Sequence, residues 1–332
     1  MIYRRVLMKL AATGVVCASA VALAACTPSP QKADSNAITP VVTTTQEKAI
    51  RTKIIKAINK ADAARDTNAL KEQMLGPALE VRTSQLKIAS ATNNLDSSTA
   101  IPQSLSQSVV STSQTWPRNL FAITTVTDTQ QSQRLLVLEQ QKATANYKVW
   151  GLVRLMPGVQ MPKFKVATIG STQGDAQTSG LKATPAEVAK RYADVLENGA
   201  KSKYANDFAD DAFRTNLQTL TDSVQQAIAQ NEGMQSQTYT AHTKDIKVLE
   251  TADGGALAVI QIDSVWTRTA GGDRQSLPAS DSEKALFGDT KATSALEVDY
   301  VNEVAIYIPK VGSSEKIRTV GAERQPVAVE AK

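Results

Sequence analysis

The apolar residues of this 332-residue chain change their spacing twice, each time from every third or fourth residue to every second. Between Gln46 and about Gln73, Ile50, Ile54, Ile58 and Ala61 fall on one helical face with charged residues between them, which predicts an amphipathic helix. Met74-Leu75-Gly76-Pro77 interrupts it, and a shorter helix is expected from Ala78 to about Ala89. The period then becomes two over Leu120–Val126, Arg134–Glu139, Tyr147–Met156 and Phe164–Ile169, runs rich in β-branched and aromatic residues that predict an antiparallel meander. Thr127-Asp128-Thr129 and Asn146 supply turn chemistry between them.

The second change repeats the first. Thr184-Pro185-Ala186-Glu187 reads as a helix start, with a capping hydroxyl, a proline in the first turn and a carboxylate near the positive end of the helix. Helices are expected over Ala186–Glu197, with Val188, Tyr192, Val195 and Leu196 on one face, and over Phe208–Gln230; strands are expected over Ala256–Arg268, Leu296–Pro309 and Glu315–Val320. Lys165-Val166-Ala167-Thr168-Ile169-Gly170 mirrors Lys316-Ile317-Arg318-Thr319-Val320-Gly321 at an offset of 151, Pro157 mirrors Pro309 at 152, and Arg82-Thr83 mirrors Arg214-Thr215 at 132. Rising offsets are what loop insertions in a second copy would give, with Thr269–Thr293 as the place for one.

This order predicts an α+β fold of two similar domains in tandem, 46–170 and 183–325, each with helices followed by a curved antiparallel sheet, joined by a Gly/Ser/Thr/Gln-rich linker at 171–182. Two cores are expected, the first using Ile54, Ile58, Leu79, Ile123, Leu136, Trp150 and Leu152, the second Val188, Tyr192, Leu217, Val259, Val304 and Ile306. Residues 326–332 are expected to be a disordered tail.

The amino end reads as an address. Arg4, Arg5 and Lys9 precede an uncharged stretch of 13 residues, Leu10–Ala22, short of the roughly 20 that cross a bilayer as a helix. Residues 1–25 are therefore expected to be a signal peptide. Leu23-Ala24-Ala25-Cys26 matches the bacterial lipobox, which implies cleavage between Ala25 and Cys26 and acylation of Cys26. Two acyl chains anchor durably, at roughly 0.8 kcal/mol per buried CH₂. Tyr3-Arg4-Arg5-Val6-Leu7-Met8-Lys9 resembles a twin-arginine export motif, with Tyr3 where Ser or Thr is usual, so the general and twin-arginine routes both stay open. Residues 26–45, with Pro28, Pro30, Pro40 and a Thr run, are expected to be a flexible tether. The address implied is the extracytoplasmic face of the cell membrane.

Composition narrows the chemistry. The only cysteines are Cys17, inside the expected signal peptide, and Cys26, so the mature chain has neither a disulfide framework nor a free thiol. Removing residues 1–25 leaves 34 basic against 32 acidic residues, and there is no run of five like charges, which gives no footprint for nucleic acid. His242 is the only histidine and stands in a Thr-rich connection (Thr238, Thr240, Thr243) without a Gly-x-Ser-x-Gly elbow, so an exposed loop histidine is the reading. Asp207, Asp210 and Asp211 lack the glycine of a calcium loop and read as a solvated helix face. Gly254-Gly255 and Gly271-Gly272 read as turn glycines, not phosphate cradles. Tyr192 and Asp194, two apart on a helix, cannot both face one cavity. Trp116, Trp150 and Trp266 are expected in cores, with room for one at the mouth of a cleft. No metal site, cofactor or catalytic residue is expected.

Helices followed by a curved sheet, twice over, resemble the cystatin-like or nuclear-transport-factor-like α+β cone. With the lipobox, the Trp116-Pro117-Arg118 entry to the first meander and the Lys165–Gly170 ending, the chain resembles a family of actinobacterial lipoproteins over most of residues 46–325. That resemblance implies no catalytic residues. The expected function is a membrane-anchored binding or scaffolding module whose partners are membrane lipid, through acylated Cys26, and an envelope protein, a glycan or a small hydrophobic ligand. The alternatives are a cavity enzyme of the ketosteroid-isomerase type and an accessory factor in secretion or wall assembly.

Overall fold

A computed structural model describes residues 39–128 and 132–332. The signal peptide, Ala25 and Cys26, and most of the tether lie outside the described residues. Residues 38–332 form one compact unit of helices and antiparallel sheets, an α+β fold.

The first half opens with α1 (Thr44–Ala64), a single-turn α2 (Thr67–Leu70) and α3 (Gly76–Thr92). A capping box between Thr43 and Gln46 starts α1 two residues before the apolar periodicity does. The expected tether ends sooner than the sequence suggests, because Val41 N–H already bonds Ser111 O at 2.9 Å and Val41 and Val42 pack on the core. Gly76 starts α3 at φ +55°, where a Cβ would meet the Trp150 indole at 2.8 Å, so only glycine lets the helix begin there. Strands β1 (Leu105–Val110), β2 (Arg118–Thr124), β3 (Arg134–Gln140) and β4 (Lys148–Arg154) then form a meander in chain order.

The second half starts at α4 (Pro185–Asn198), capped as its sequence predicts, with Thr184 accepting from Glu187 N–H and the Glu187 side chain returning to the cap backbone. After α5 (Ala212–Ala229) come β6 (Met234–Ala241) and β7 (Lys247–Glu250), which lie along successive parts of the long β8 (Ala256–Thr269). A short α6 (Asp281–Phe287) precedes β9 (Ala295–Ile308) and β10 (Arg318–Ala331). The sheet order is β10-β9-β8-β7-β5, with β6 also on β8, where β5 (Gln173–Gly174) comes from the expected linker.

Three expectations change here. Residues 326–332 are no tail, because β10 pairs with β9 as far as Ala331 against Leu296. Phe164–Ile169 is not a strand: Ile169 and Gly170 both donate to Val166 O in a turn, and Val166 and Ile169 face solvent. Beyond β4, Leu155 bridges Gly321 of β10, where a Cβ on Gly321 would lie 2.7 Å from Arg154 O, so this close approach requires glycine. The two mirrored hexapeptides therefore differ in structure, the first a turn and the second the entry to β10. Trp116 is exposed at the surface, with the Arg118 guanidinium stacked 4.1 Å from its ring centroid, while Trp150 and Trp266 are buried.

The largest correction concerns the core. Ile54, Ile58, Leu136 and Leu152 bury one face of the first sheet under α1 and α3, and Val188, Tyr192, Val304 and Ile306 bury one face of the second under α4. Ile123, Trp150 and Val259 do not join these layers. They lie in a third cluster, with Phe121, Leu135 and Val137 from the first half against Leu257, Ala305 and Tyr307 from the second. The two sheets thus cover each other's remaining faces. Polar links cross the same seam: the buried pairs Arg134–Glu323 at 2.8 Å and Lys247–Glu139, and, at its rim, Trp150 Nε1–H donating to the exposed Asp245 at 2.9 Å.

Candidate functional site

The second half holds a cavity of about 700 Å³ between the end of α4, α5 and β6. Its walls are unusually loose for regular structure. The apolar stripe of α5, Phe213, Leu217, Leu220, Val224 and Ile228, has helical spacing, yet Leu217 is the only buried residue of the helix and Leu220 is exposed. Strand β6 buries nothing: Met234, Ser236, Thr238 and Thr240 face out, and Gln235, Gln237, Tyr239 and Ala241 are half-buried toward the helices. Helix and strand are held apart by side chains, with Gln235 Nε2 donating to Thr221 O at 2.6 Å and Gln237 Nε2 to Thr221 Oγ1 at 2.8 Å.

The lining is rich in neutral hydrogen-bonding groups. Asn206, Gln218, Gln235 and Gln237 contribute amides, and Thr215, Thr219 and Tyr239 contribute hydroxyls, over an apolar floor of Leu196, Phe208 and Leu217. Tyr239 O–H donates to Gln237 Oε1 at 2.8 Å, and burial pushes its pKa up, so it stays a neutral donor. Glu197 closes one end by accepting from Tyr239 N–H at 3.0 Å, on the edge of β6 that no strand covers among the described residues.

Of the three carboxylates at this cavity, Glu197, Asp210 and Asp211, the buried one is committed to structure. Asp211 caps α5, taking Arg214 N–H on Oδ1 at 2.8 Å, while Oδ2 takes Arg214 Nε–H at 2.7 Å and Tyr192 O–H at 3.1 Å. Its side chain is 1% exposed. Tyr192, fully buried and beside this anion, has its pKa held well above the usual tyrosine value. A carboxylate with three donors already on it is poorly placed to take a proton from a ligand. The amides and hydroxyls can hold a molecule by many neutral hydrogen bonds.

The other sequence-derived candidates are dispersed. Asp207 pairs with Arg191 at 3.1 Å, Asp210 is fully exposed and Asp211 is buried, so the three do not converge. Asp194 accepts from Ser202 O–H on the opposite side of α4 from Tyr192. His242 follows the end of β6 and pairs with Asp263 of β8 at 2.6 Å, both side chains about two-fifths exposed; an exposed pair of this kind contributes at most about 1 kcal/mol. No group of three His, Cys, Asp or Glu residues among the described residues is arranged to hold a metal ion. Reasoning from spacing missed β6 entirely. Its one available signal was the alternation of Gln235, Gln237 and Tyr239 with shorter polar residues, a period of two without an apolar face.

One family model, described as "Domain of unknown function (DUF8094)", matches residues 38–331, taking in both halves as one domain. No curated protein and no solved structure matches the chain.

Proposed function

We propose, from the premise that the chain belongs to the DUF8094 family, that the family's domain is the recognition module of an envelope lipoprotein and that the segment ahead of it, ending in Cys26, is its anchor. The family match and the compact unit coincide, 38–331 and 38–332, and the lipobox lies just outside both. Fifteen residue steps run from Cys26 to Val41, a backbone donor tied into the fold. They can span at most about 50 Å. An acylated Cys26 would therefore hold the domain near the outer surface of the membrane. Cys26→Ser is expected to move the protein from the membrane fraction to the soluble fraction, or to leave an unprocessed precursor; membrane retention with normal processing would contradict the anchor.

The ligand class follows from the cavity under α5. A half-open space lined by amides, hydroxyls and charges of both signs (Glu197, Asp210, Asp211, Arg214 and Lys316) over a small apolar floor suits a polyhydroxylated or amide-bearing chain, the chemistry of an envelope glycan. The observation that carries this reading is the loose fit of α5 and β6, two regular elements with one buried residue between them. Ligand contact would supply the burial they lack. Soluble cell-wall glycan fragments are expected to slow hydrogen exchange in 212–229 and 234–241 and nowhere in the first sheet. Gln218→Trp, which fills the cavity from an exposed position, should abolish that protection with the melting temperature unchanged. Unaltered exchange in these segments at millimolar glycan would remove this ligand class.

A further inference from the structure

The polypeptide enters its folded domain at one end of the first sheet. Val41 N–H bonds Ser111 O at 2.9 Å, just past the end of β1, and beside it Thr112 N–H bonds Ser171 O at 3.0 Å. The β1–β2 and β3–β4 connections leave the meander from this same end, since Val110 pairs with Leu120, Arg118 with Gln140 and Glu139 with Lys148. The turn at 166–170 lies against the entry: a Cβ on Gly170 would come within 2.6 Å of Thr112 Cγ2 and 3.4 Å of Pro40 Cγ. Gln173 ties the segment after this turn to the β1–β2 connection, donating to Pro117 O at 2.7 Å and accepting from Asn119 N–H at 2.8 Å.

This end displays apolar side chains that the fold does not use. Val166 is 61% exposed, Ile169 59% and Trp116 40%. The turn carrying the first two is fixed in place: Phe164 is buried in the seam, Ala167 packs on the helix-covered core, and Ile169 and Gly170 both donate to Val166 O. The charges that accompany them are of one sign. From 97 to 127 the chain holds Arg118 and no Asp or Glu, and from 140 to 174 it holds five Lys or Arg and no Asp or Glu. Of these, Lys142 and Lys165 stand exposed at this end. Acidic groups lie at its margin: Glu72 follows Lys71, and Glu250 and Asp253 flank the turn between β7 and β8, where Asp253 already accepts from the Thr251 and Tyr307 hydroxyls. Tryptophan and aliphatic side chains seat in a headgroup layer, and lysines beside them meet anionic lipid. At most about 50 Å of chain separates Cys26 from Val41, which puts the entry end nearest the lipid. We infer that this end of the first sheet rests on an anionic bilayer, with Val166, Ile169 and Trp116 in the headgroup layer. The inference rests on the anchor proposed above; none of the three residues lines the cavity under α5, so the glycan reading can fail without affecting it.

The test couples the full chain from residue 26, through the Cys26 thiol, to a maleimide lipid in phosphatidylglycerol vesicles with brominated acyl chains. Tethering then does not depend on acylation in the cell. Trp116 emission should shift to the blue and be largely quenched, while the buried Trp150 and Trp266 keep theirs, as a Trp116→Phe protein would report. Val166→Asp combined with Ile169→Asp, both at exposed positions, should abolish the quenching and leave the melting temperature unchanged. Phosphatidylcholine vesicles should quench less, and Lys142→Glu with Lys165→Glu should bring phosphatidylglycerol down toward that level. Three side chains without a tether bind a bilayer only weakly and reversibly, so the Cys26→Ser protein should still leave the membrane fraction in cells, and that fractionation reads the anchor separately. The inference is overturned if the tethered parent is not quenched, if the double aspartate variant is quenched as the parent is, or if phosphatidylcholine quenches as strongly as phosphatidylglycerol.

Discussion

Glu303→Gln is expected to stabilise the protein strongly at pH 9 and hardly at all at pH 4. Glu303 is fully buried on β9; Oε1 accepts from Leu152 N–H at 3.1 Å, and Oε2 has no partner. Burial, reinforced by the nearby charge of Glu323, raises its pKa from 4.5 to about 8. Between those values the folded state holds a proton that the unfolded state has lost. The stability contributed by the neutral acid is therefore fully present below about pH 4.5 and is lost as pH rises through 8. At about 1.4 kcal/mol per pKa unit the effect amounts to a few kcal/mol. Glutamine keeps the acceptor for Leu152 N–H and cannot ionise. Thermal melts should coincide within a degree or two at pH 4 and separate by roughly 10 °C at pH 9. Parallel pH profiles for the two proteins would show that Glu303 is ionised in the fold at neutral pH.

Dividing the chain at the linker should destroy both halves. Fragments 39–172 and 173–332 would each keep a helix-covered sheet face, yet each would expose the opposite face: Phe121, Leu135, Val137 and Trp150 on one, Leu257, Val259, Ala305 and Tyr307 on the other. Each of these eight is at most 3% exposed in the intact protein. Burying a large apolar side chain contributes about 1.5–3 kcal/mol, so the lost layer exceeds the 5–15 kcal/mol by which whole domains are stable. Cutting also leaves Arg134 without Glu323 and Lys247 without Glu139, charges that are buried at the seam. Neither fragment should be recovered as a soluble monomer with a cooperative melt, and mixing them during refolding should restore the parent circular dichroism. Two monodisperse fragments that each melt cooperatively would show that the seam is dispensable.

The seam was written in the sequence in a form that periodicity underweights. Leu120-Phe121-Ala122-Ile123 and Leu135-Leu136-Val137-Leu138 are continuous apolar runs, the mark of strands buried on both faces, whereas the search for one helix-covered face uses only alternate residues. Long amphipathic helices and apolar strands were legible because one buried face sets their spacing, as in α1, α4, β8 and β9. Strands facing a polar space carry no such mark, which is why β6, and with it the cavity under α5, escaped notice. Val166 and Ile169 gave the opposite error: they are β-branched, but Leu155, directly after β4, already bridges to β10, and among the described residues no strand pairs with 164–169.

Helix α3 rests on the last strand of the domain: Ser84 Oγ–H donates to Pro326 O at 2.5 Å across 242 residues, and Gln85 reaches Gln325. A polypeptide delivered amino end first therefore carries α3 through almost the entire delivery before its partner arrives. Contacts of such sequence separation form late and slowly. The contacts of α3 with β10 therefore lock only once the last strand is in place.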